Sequence, residues 1–231
     1  MYKTNPASML YWWPKVRDLD IPKPKTIIVE IPHEVFVDLL DGGLEIKTYH
    51  PALFAAAEEL GYPLFMRTDI LSAKHQWLKT CYVKDEGCLR LNIGGLTEMN
   101  FMVMAPGPSA LVLREYIELE SSFTSHNGMP VAKERRYFVR DGWIECYHPY
   151  WPEESVRRPS RPDWRKLLSM ANAQGPDEIE LLCGYVEQVG AVMDGFWSVD
   201  FAKARDGRWL LIDMAPGAQS YHWSTCQFCL D

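Results

Sequence analysis

The chain has 231 residues, 47% hydrophobic, 13% aromatic and 24% charged, with a formal net charge of −7. That composition suffices for one large domain or two small ones and argues against a general nucleic-acid-coating role, leaving only a local basic groove open. The sequence lacks a run of about eighteen apolar residues, so no membrane span is expected. Its first residues, MYKTNPASMLYWWPKV, hold no continuous apolar stretch of the secretory kind, and six cysteines in so long a chain are not a disulfide framework. The expectation is a cytoplasmic protein with reduced thiols.

In chain order, IPKPKTIIVEI opens on two prolines and turns β-branched, which predicts an extended entry and a strand near 26–31. HPALFAAAEELGYP reads as an Ala-rich helix closed by Gly61, with Pro63 beyond it. PLFMRT reads as a strand and DILSAKHQW as the loop leaving it. GGLTEMNFMVMAPG has helical spacing between its glycines, and ALVLREYIELE is a strand ending in acids. PVAKERRYFVRDGWIECYHPYW predicts two strands around the turn Asp141-Gly142. VRRPSRPDWRKL reads as a solvated connection rich in Pro and Arg, and DEIELLCGYVEQVGAVM as an amphipathic helix with acids in its first turn. Mixed rather than alternating strands and helices predict α+β layers, not a doubly wound sheet.

FWSVDFAKARDGRWLLIDMAPG (196–217) is a hairpin signal, with Asp-Gly between two alternating runs. A two-residue turn at Asp206-Gly207 pairs Arg205 with Arg208 and carries Asp200 to a place opposite Asp213. Ala202, Ala204, Trp209 and Leu211 are then expected on the same face. Like charges directly opposite destabilise a sheet, and a Mg²⁺ ion held by hard carboxylate oxygens removes the conflict. The competing readings are a register off by one and a solvated carboxylate at a strand end. If such an ion carries phosphates, cations are needed too, and Arg67 at a strand end with Lys74 in the next loop are the candidates. The alternative for both is plain surface charge. HWSTCQFCLD contains Cys226-x-x-Cys229 with His222 four residues before it. No second ligand pair has zinc-like spacing, so these read as structural thiols.

Taken in order, IPKPKTIIV, LGYPLFMR, LVLREYIEL, ERRYFV and VDFAKARDGRWLLID resemble the ATP-grasp superfamily over residues 21 to about 217. RTDILSAKHQW and DGRWLLIDMAPG look like a bacterial and phage clade with Arg then Lys at the phosphate-facing positions. The resemblance implies an α+β ATP-grasp fold, two subdomains clamping ATP (21–112 and 113–231), after an N-terminal extension at 1–20. The Rossmann-like domain that usually precedes them is expected to be missing or truncated.

The resemblance also implies roles. Arg67 and Lys74 bind nucleotide phosphates; Arg114, Glu115, Tyr116 and Ile117 form the adenine hinge; Glu118 takes the ribose hydroxyls. Arg136 faces the γ-phosphate or an acyl phosphate, and Asp200 and Asp213 hold Mg²⁺. Where the family usually has Asn, two residues after the last acid, this chain has Ala215, with Gln219, Ser220 or water to complete the metal shell. His148 and Tyr150 in CYHPYW, and Ser220 and His222 in SYHW, are candidates for the acceptor side, against the plainer reading of packed aromatics. The implied activity is ATP-dependent ligation of an unknown carboxylate to an amine or thiol through an acyl phosphate. The alternatives are a kinase, a nucleic-acid- or tRNA-modifying ligase, and a non-catalytic ATP-binding module. A protein or peptide substrate, a second copy of the chain or a partner protein is expected to supply the wall of the missing domain, in the cytoplasm of a bacterium or a phage-infected host.

Overall fold

A computed structural model of the chain describes residues 4–103 and 107–226. The described residues fall into two compact units, a smaller one of Pro24–Ile117 with His126–Met129 and a larger one of the remainder. No helix among the described residues is long and apolar enough to cross a membrane.

The smaller unit is a four-stranded sheet, β1 (Thr26–Glu30), β2 (Leu64–Thr68), β3 (Tyr82–Val83) and β4 (Ala110–Glu115), in the order β1-β4-β2-β3. Leu64 and Met66 of β2 and Leu111 and Leu113 of β4 pack one face into a core under three helices. These helices are α2 (His33–Leu40), α3 (His50–Leu60) and α5 (Glu86–Met102). α3 opens on Pro51 and stops at Gly61, whose φ of 78° suits a residue without Cβ. α5 begins earlier than its glycines suggest, because the Asp85 side chain accepts from the Cys88 N–H at 2.9 Å and caps it. A short helix α4 (Trp77–Thr80) precedes β3.

The larger unit opens with α1 (Met9–Val16), capped by Ser8, whose Oγ accepts from Leu10 N at 3.1 Å. Met9, Trp12 and Val16 are buried. A hairpin joins β5 (Ser121–Ser125) to β6 (Met129–Ala132), with its loop residues counted in the smaller unit. Then come β7 (Glu134–Arg140), β8 (Trp143–Pro149), α6 (Trp164–Asn172), α7 (Pro176–Gly190), β9 (Phe196–Lys203) and β10 (Trp209–Pro216). The main sheet has the order β10-β9-β7-β8, antiparallel throughout. Asp141 and Gly142 take φ of 47° and 86°, the left-handed pair that a tight hairpin turn needs. Tyr185 of α7 lies against Phe201, and Tyr137 stacks beside Tyr147 and Phe201, so α7 covers one face of this sheet.

Candidate functional site

The hairpin of β9 and β10 differs from expectation in its turn. Ala204 N donates to Arg208 O at 2.8 Å and Gly207 N to Ala204 O at 3.0 Å, so the loop has three residues, Arg205-Asp206-Gly207, with Gly207 at φ 95°. That shifts the first pairs by one, to Lys203–Trp209, Ala202–Leu210 and Phe201–Leu211. A bulge at Ile212 then restores the lost residue, and Asp213 stands opposite Asp200 after all. The expected face is therefore corrected in part. Leu210, not Trp209 or Leu211, shares the face of Ala202 and Asp200; Trp209 and Leu211 point the other way with Phe201.

On β7, Arg136 pairs with Asp200 of β9 on one side and His148 of β8 on the other. His148, Arg136, Asp200 and Asp213 thus form one row across all four strands, on the face away from α7. Arg136 donates Nε to Asp200 Oδ1 at 2.8 Å and Nη2 to Oδ2 at 2.7 Å, a bidentate fork. Its Nη1 donates to the Tyr221 carbonyl at 3.1 Å, and the guanidinium lies over the Tyr150 ring at 4.7 Å. Burial would lower the Arg136 pKa, but Asp200 outweighs it and holds the group above its ordinary range. Asp213 is half-buried, and its Oδ1 accepts from Met214 N at 3.0 Å.

His148 is buried, and burial, with Arg136 and His222 nearby, pushes its pKa down to about 4. Its Nδ1 donates to the Pro149 carbonyl at 2.7 Å, which leaves Nε2 a buried lone pair with no hydrogen-bond partner. Ala215 pairs with Ser198, so the position where Asn was expected presents only a methyl group. The Ser198 hydroxyl beside it bonds the Ser220 hydroxyl at 2.6 Å, which brings Ser220 to this face. His222 packs on Phe138, with ring centroids 4.4 Å apart, and its Nε2 lies 2.9 Å from Cys146 Sγ. Cys229 lies outside the described residues. A groove of about 350 Å³ beside this segment is lined by Glu153, Glu154, Arg165, Asn172, Tyr221 and Trp223.

In the smaller unit, Arg67 of β2 pairs with Val112, and Arg114 of β4 pairs with Phe65. The two arginines are diagonal neighbours on the face opposite the helix-covered core, and both are buried. The segment after β2 is not a plain loop. Ala73 takes a left-handed φ of 49°, and Lys74 then starts a 3-10 turn, Lys74–Gln76, that runs into α4. Thr80 Oγ1 ties this turn down through the Ala73 and Gln76 carbonyls, at 3.0 Å each. His75 stacks on His126, with centroids 4.2 Å apart. Both Arg67 and Lys74 lie near enough to the Cys81 thiol to pull its pKa down, yet burial wins and pushes it up to about 11. At the end of β4, Glu115 Oε1 accepts from Lys25 N at 2.7 Å, and Tyr116 sits edge-on to Tyr82 at 5.2 Å. Ile117 is half-buried, and Glu118, in the larger unit, is exposed and paired with Arg205 at 3.1 Å.

Sequence reasoning missed Tyr221, whose backbone oxygen caps Arg136, and Cys146, which meets His222 from a strand 76 residues away. Neither carries a local signal, because both contacts are long-range.

A helix-backed antiparallel sheet that presents a row of arginine and paired carboxylates is the arrangement of the ATP-grasp fold. The chain matches a family model of the ATP-grasp domain, that of clade family 3, over residues 57–228, and it belongs to that family. Among solved structures it is similar to Cdc123 from Schizosaccharomyces pombe, at 17% identity and TM-score 0.57, covering 90% of this chain and 82% of that one. It is also similar to D-alanine–D-alanine ligase from Bacillus anthracis complexed with ATP, at 12% identity and TM-score 0.50, covering 92% of this chain and 54% of that one. A RimK domain protein ATP-grasp from Sphaerobacter thermophilus matches at 15% identity and TM-score 0.49, covering 93% of this chain and 60% of that one. The chain thus spans 60% and 54% of the lengths of the last and the second of these proteins. No curated protein matches it by sequence.

Proposed function

We propose that the protein is an ATP-dependent ligase that joins a carboxylate to an amine or thiol through an acyl phosphate. The observation that carries this reading is the row Arg136–Asp200–Asp213 across one open sheet face.

The donor set fits magnesium. Asp200 and Asp213 offer hard carboxylate oxygens from adjacent strands, and the Arg136 fork leaves lone pairs free on each Asp200 oxygen. Arg136 offsets one of the two negative charges, so the row keeps a net charge of about −1 to attract a cation. Magnesium bound there bridges nucleotide phosphate oxygens and neutralises charge that develops on them.

The chain's own groups do the rest. Arg67 and Lys74 offset phosphate charge, while the Arg114–Ile117 strand end and Glu118 hold the nucleoside. A substrate carboxylate oxygen attacks the γ-phosphorus, the bond from phosphorus to the β,γ-bridging oxygen breaks, and ADP leaves. Arg136 stabilises the transferring phosphoryl group, since its guanidinium is held in place before the reaction. The amine or thiol then attacks the acyl carbon and phosphate departs. His148, Tyr150, Ser220 and His222 sit on the face from which that acceptor arrives.

The test is ADP release on mixtures of carboxylates and amines, with hydroxylamine to trap an acyl phosphate as hydroxamate. Asp213→Asn is expected to lower turnover by about 10²–10³. Trapped hydroxamate that depends on ATP supports the reading; ATP turnover in Asp213→Asn equal to the parent refutes it.

A further inference from the structure

The segment after β10 returns across the sheet face of the larger unit and is pinned there at several points. Ser220 bonds Ser198, the Tyr221 carbonyl accepts from Arg136, and the Tyr221 hydroxyl donates to Glu154 at 2.9 Å. Further on, Cys226 N donates to the Trp223 carbonyl at 2.9 Å, closing a turn between His222 and Cys226. That turn sets both side chains against Cys146 of β8. The Cys146 and Cys226 sulfurs and a ring nitrogen of His222 all lie within 4.8 Å of one another.

We propose that Cys146, His222 and Cys226 bind a zinc ion that clips this C-terminal segment to strand β8. Tetrahedral zinc holds thiolate sulfur at about 2.3 Å and imidazole nitrogen at about 2.0–2.1 Å, so ligand atoms this close fall within reach of one centre. The set is soft, two sulfurs and one nitrogen, which suits zinc and excludes magnesium or calcium. Cys146 is buried and the other two half-buried, and Phe138 packs on His222 at 4.4 Å, giving the ion an apolar wall. Three protein ligands leave one tetrahedral position for water or a further donor.

The ion has a mechanical consequence. Tyr221 precedes His222, so fixing His222 also fixes the carbonyl that receives Arg136 Nη1. The clip therefore positions the arginine of the phosphate row without touching substrate. It is separate from the carboxylate pair and independent of whether the protein is a ligase, because metal binding is read without nucleotide.

The experiment uses the full chain, reduced, stripped with a chelator and titrated with Co²⁺ and then Zn²⁺. Expected are thiolate-to-cobalt charge transfer, visible bands of a tetrahedral site, and one ion per chain, displaced by Zn²⁺. His222→Ala and Cys226→Ser are expected to weaken binding by more than the about 10–100-fold that loss of an outer-shell partner causes. Cys146 is buried, so Cys146→Ser is read beside its circular dichroism, and the other two variants decide the question if it fails to fold. Absence of thiolate charge transfer overturns the proposal, as does unchanged affinity in Cys226→Ser. A Cys146–Cys226 disulfide in protein purified without reductant, with no zinc uptake after reduction, overturns it too.

Discussion

The Arg136 guanidinium and the Asp200 carboxylate face each other directly across β7 and β9 and make two parallel hydrogen bonds, of 2.8 and 2.7 Å. Their side chains are 12% and 5% exposed, so each charge depends on the other for its solvation. Removing one partner of such a pair leaves the other buried and uncompensated, at a cost of about 3–5 kcal/mol. Arg136→Met is expected to destabilise the larger unit by that amount. Arg136→Met combined with Asp200→Leu is expected to cost less than the sum of the single changes, because no orphaned charge remains. Chemical denaturation of the three variants measures the coupling, and strictly additive costs would show that the pair is not an energetic unit.

Arg135 and Arg136 are neighbours in sequence and opposite in role. The pleat sends Arg135 toward α7, where it donates Nε to Glu178 at 2.5 Å and its Nη groups to the carbonyls of Glu134, Ala171 and Ala173. Arg135→Lys cannot satisfy that fan of acceptors and is expected to lower stability while leaving kcat per folded molecule near the parent. Arg136→Lys keeps the charge but loses the fork, and kcat is expected to fall by about 10²–10³. Turnover normalised to the folded fraction separates the two; an equal fall in both would mean that the face assignment does not govern chemistry.

The acidic pair was legible in the sequence, but through two errors that cancel. The Asp-Gly signal marks the hairpin without fixing its loop length, and a third loop residue, Arg205, moved the register by one. The bulge at Ile212 moved it back. An Asp between Val199 and Phe201 needs a polar partner wherever the turn falls, and Arg136 is that partner, so burial preserved a pairing that turn chemistry alone would have lost. Helices carried clearer marks where caps exist: Pro51 and Gly61 bracket α3. α1 has Ser8 as its cap but carries Pro14 within it, and its Trp pair read as an extension. The turn that holds Lys74 rests on Thr80, whose two bonds back to Ala73 and Gln76 have no periodic signature. Cys146 stands in a strand pattern that only the folded chain brings to His222 and Cys226.

Gly217 begins the turn Gly217–Gln219 that leads from β10 into the segment over the sheet. A Cβ there would stand 2.6 Å from two carbons of the Phe196 ring. The ring also lies beneath the Arg140 guanidinium, 3.9 Å from its centroid, and 5.7 Å from Phe138, so it has neighbours on more than one side. Gly217→Ala is expected to cost about 1–3 kcal/mol, the range for overpacking a filled site. Phe196→Leu in the same chain is expected to recover part of it by opening space. Thermal melts of the single and double variants check this; a neutral Gly217→Ala would show that the ring moves aside freely.

Cys81 provides a pH test of the cation pair in the smaller unit. Burial holds its thiol protonated up to about 11, although Thr80, Lys74 and Arg67 all favour the thiolate. In the unfolded chain the thiol ionises from about 8.5. Between those values the unfolded state has lost a proton that the folded state keeps. Stability from this group is therefore complete below pH 8.5 and falls as pH rises toward 11, by at most about 1.4 kcal/mol per pH unit. Cys81→Ala removes a buried side chain at a fixed cost, so its stability is expected to fall less steeply with pH over that window. Lys74→Met withdraws a charge that favours the thiolate, which raises the thiol pKa further and extends the loss to higher pH. Urea midpoints at several pH values from 8 to 11 measure the slopes, with other alkaline groups common to all the variants except Lys74 itself. Equal slopes in the parent and Cys81→Ala would mean that the thiol is not held protonated, and that the pocket where Arg67 and Lys74 converge is open to water.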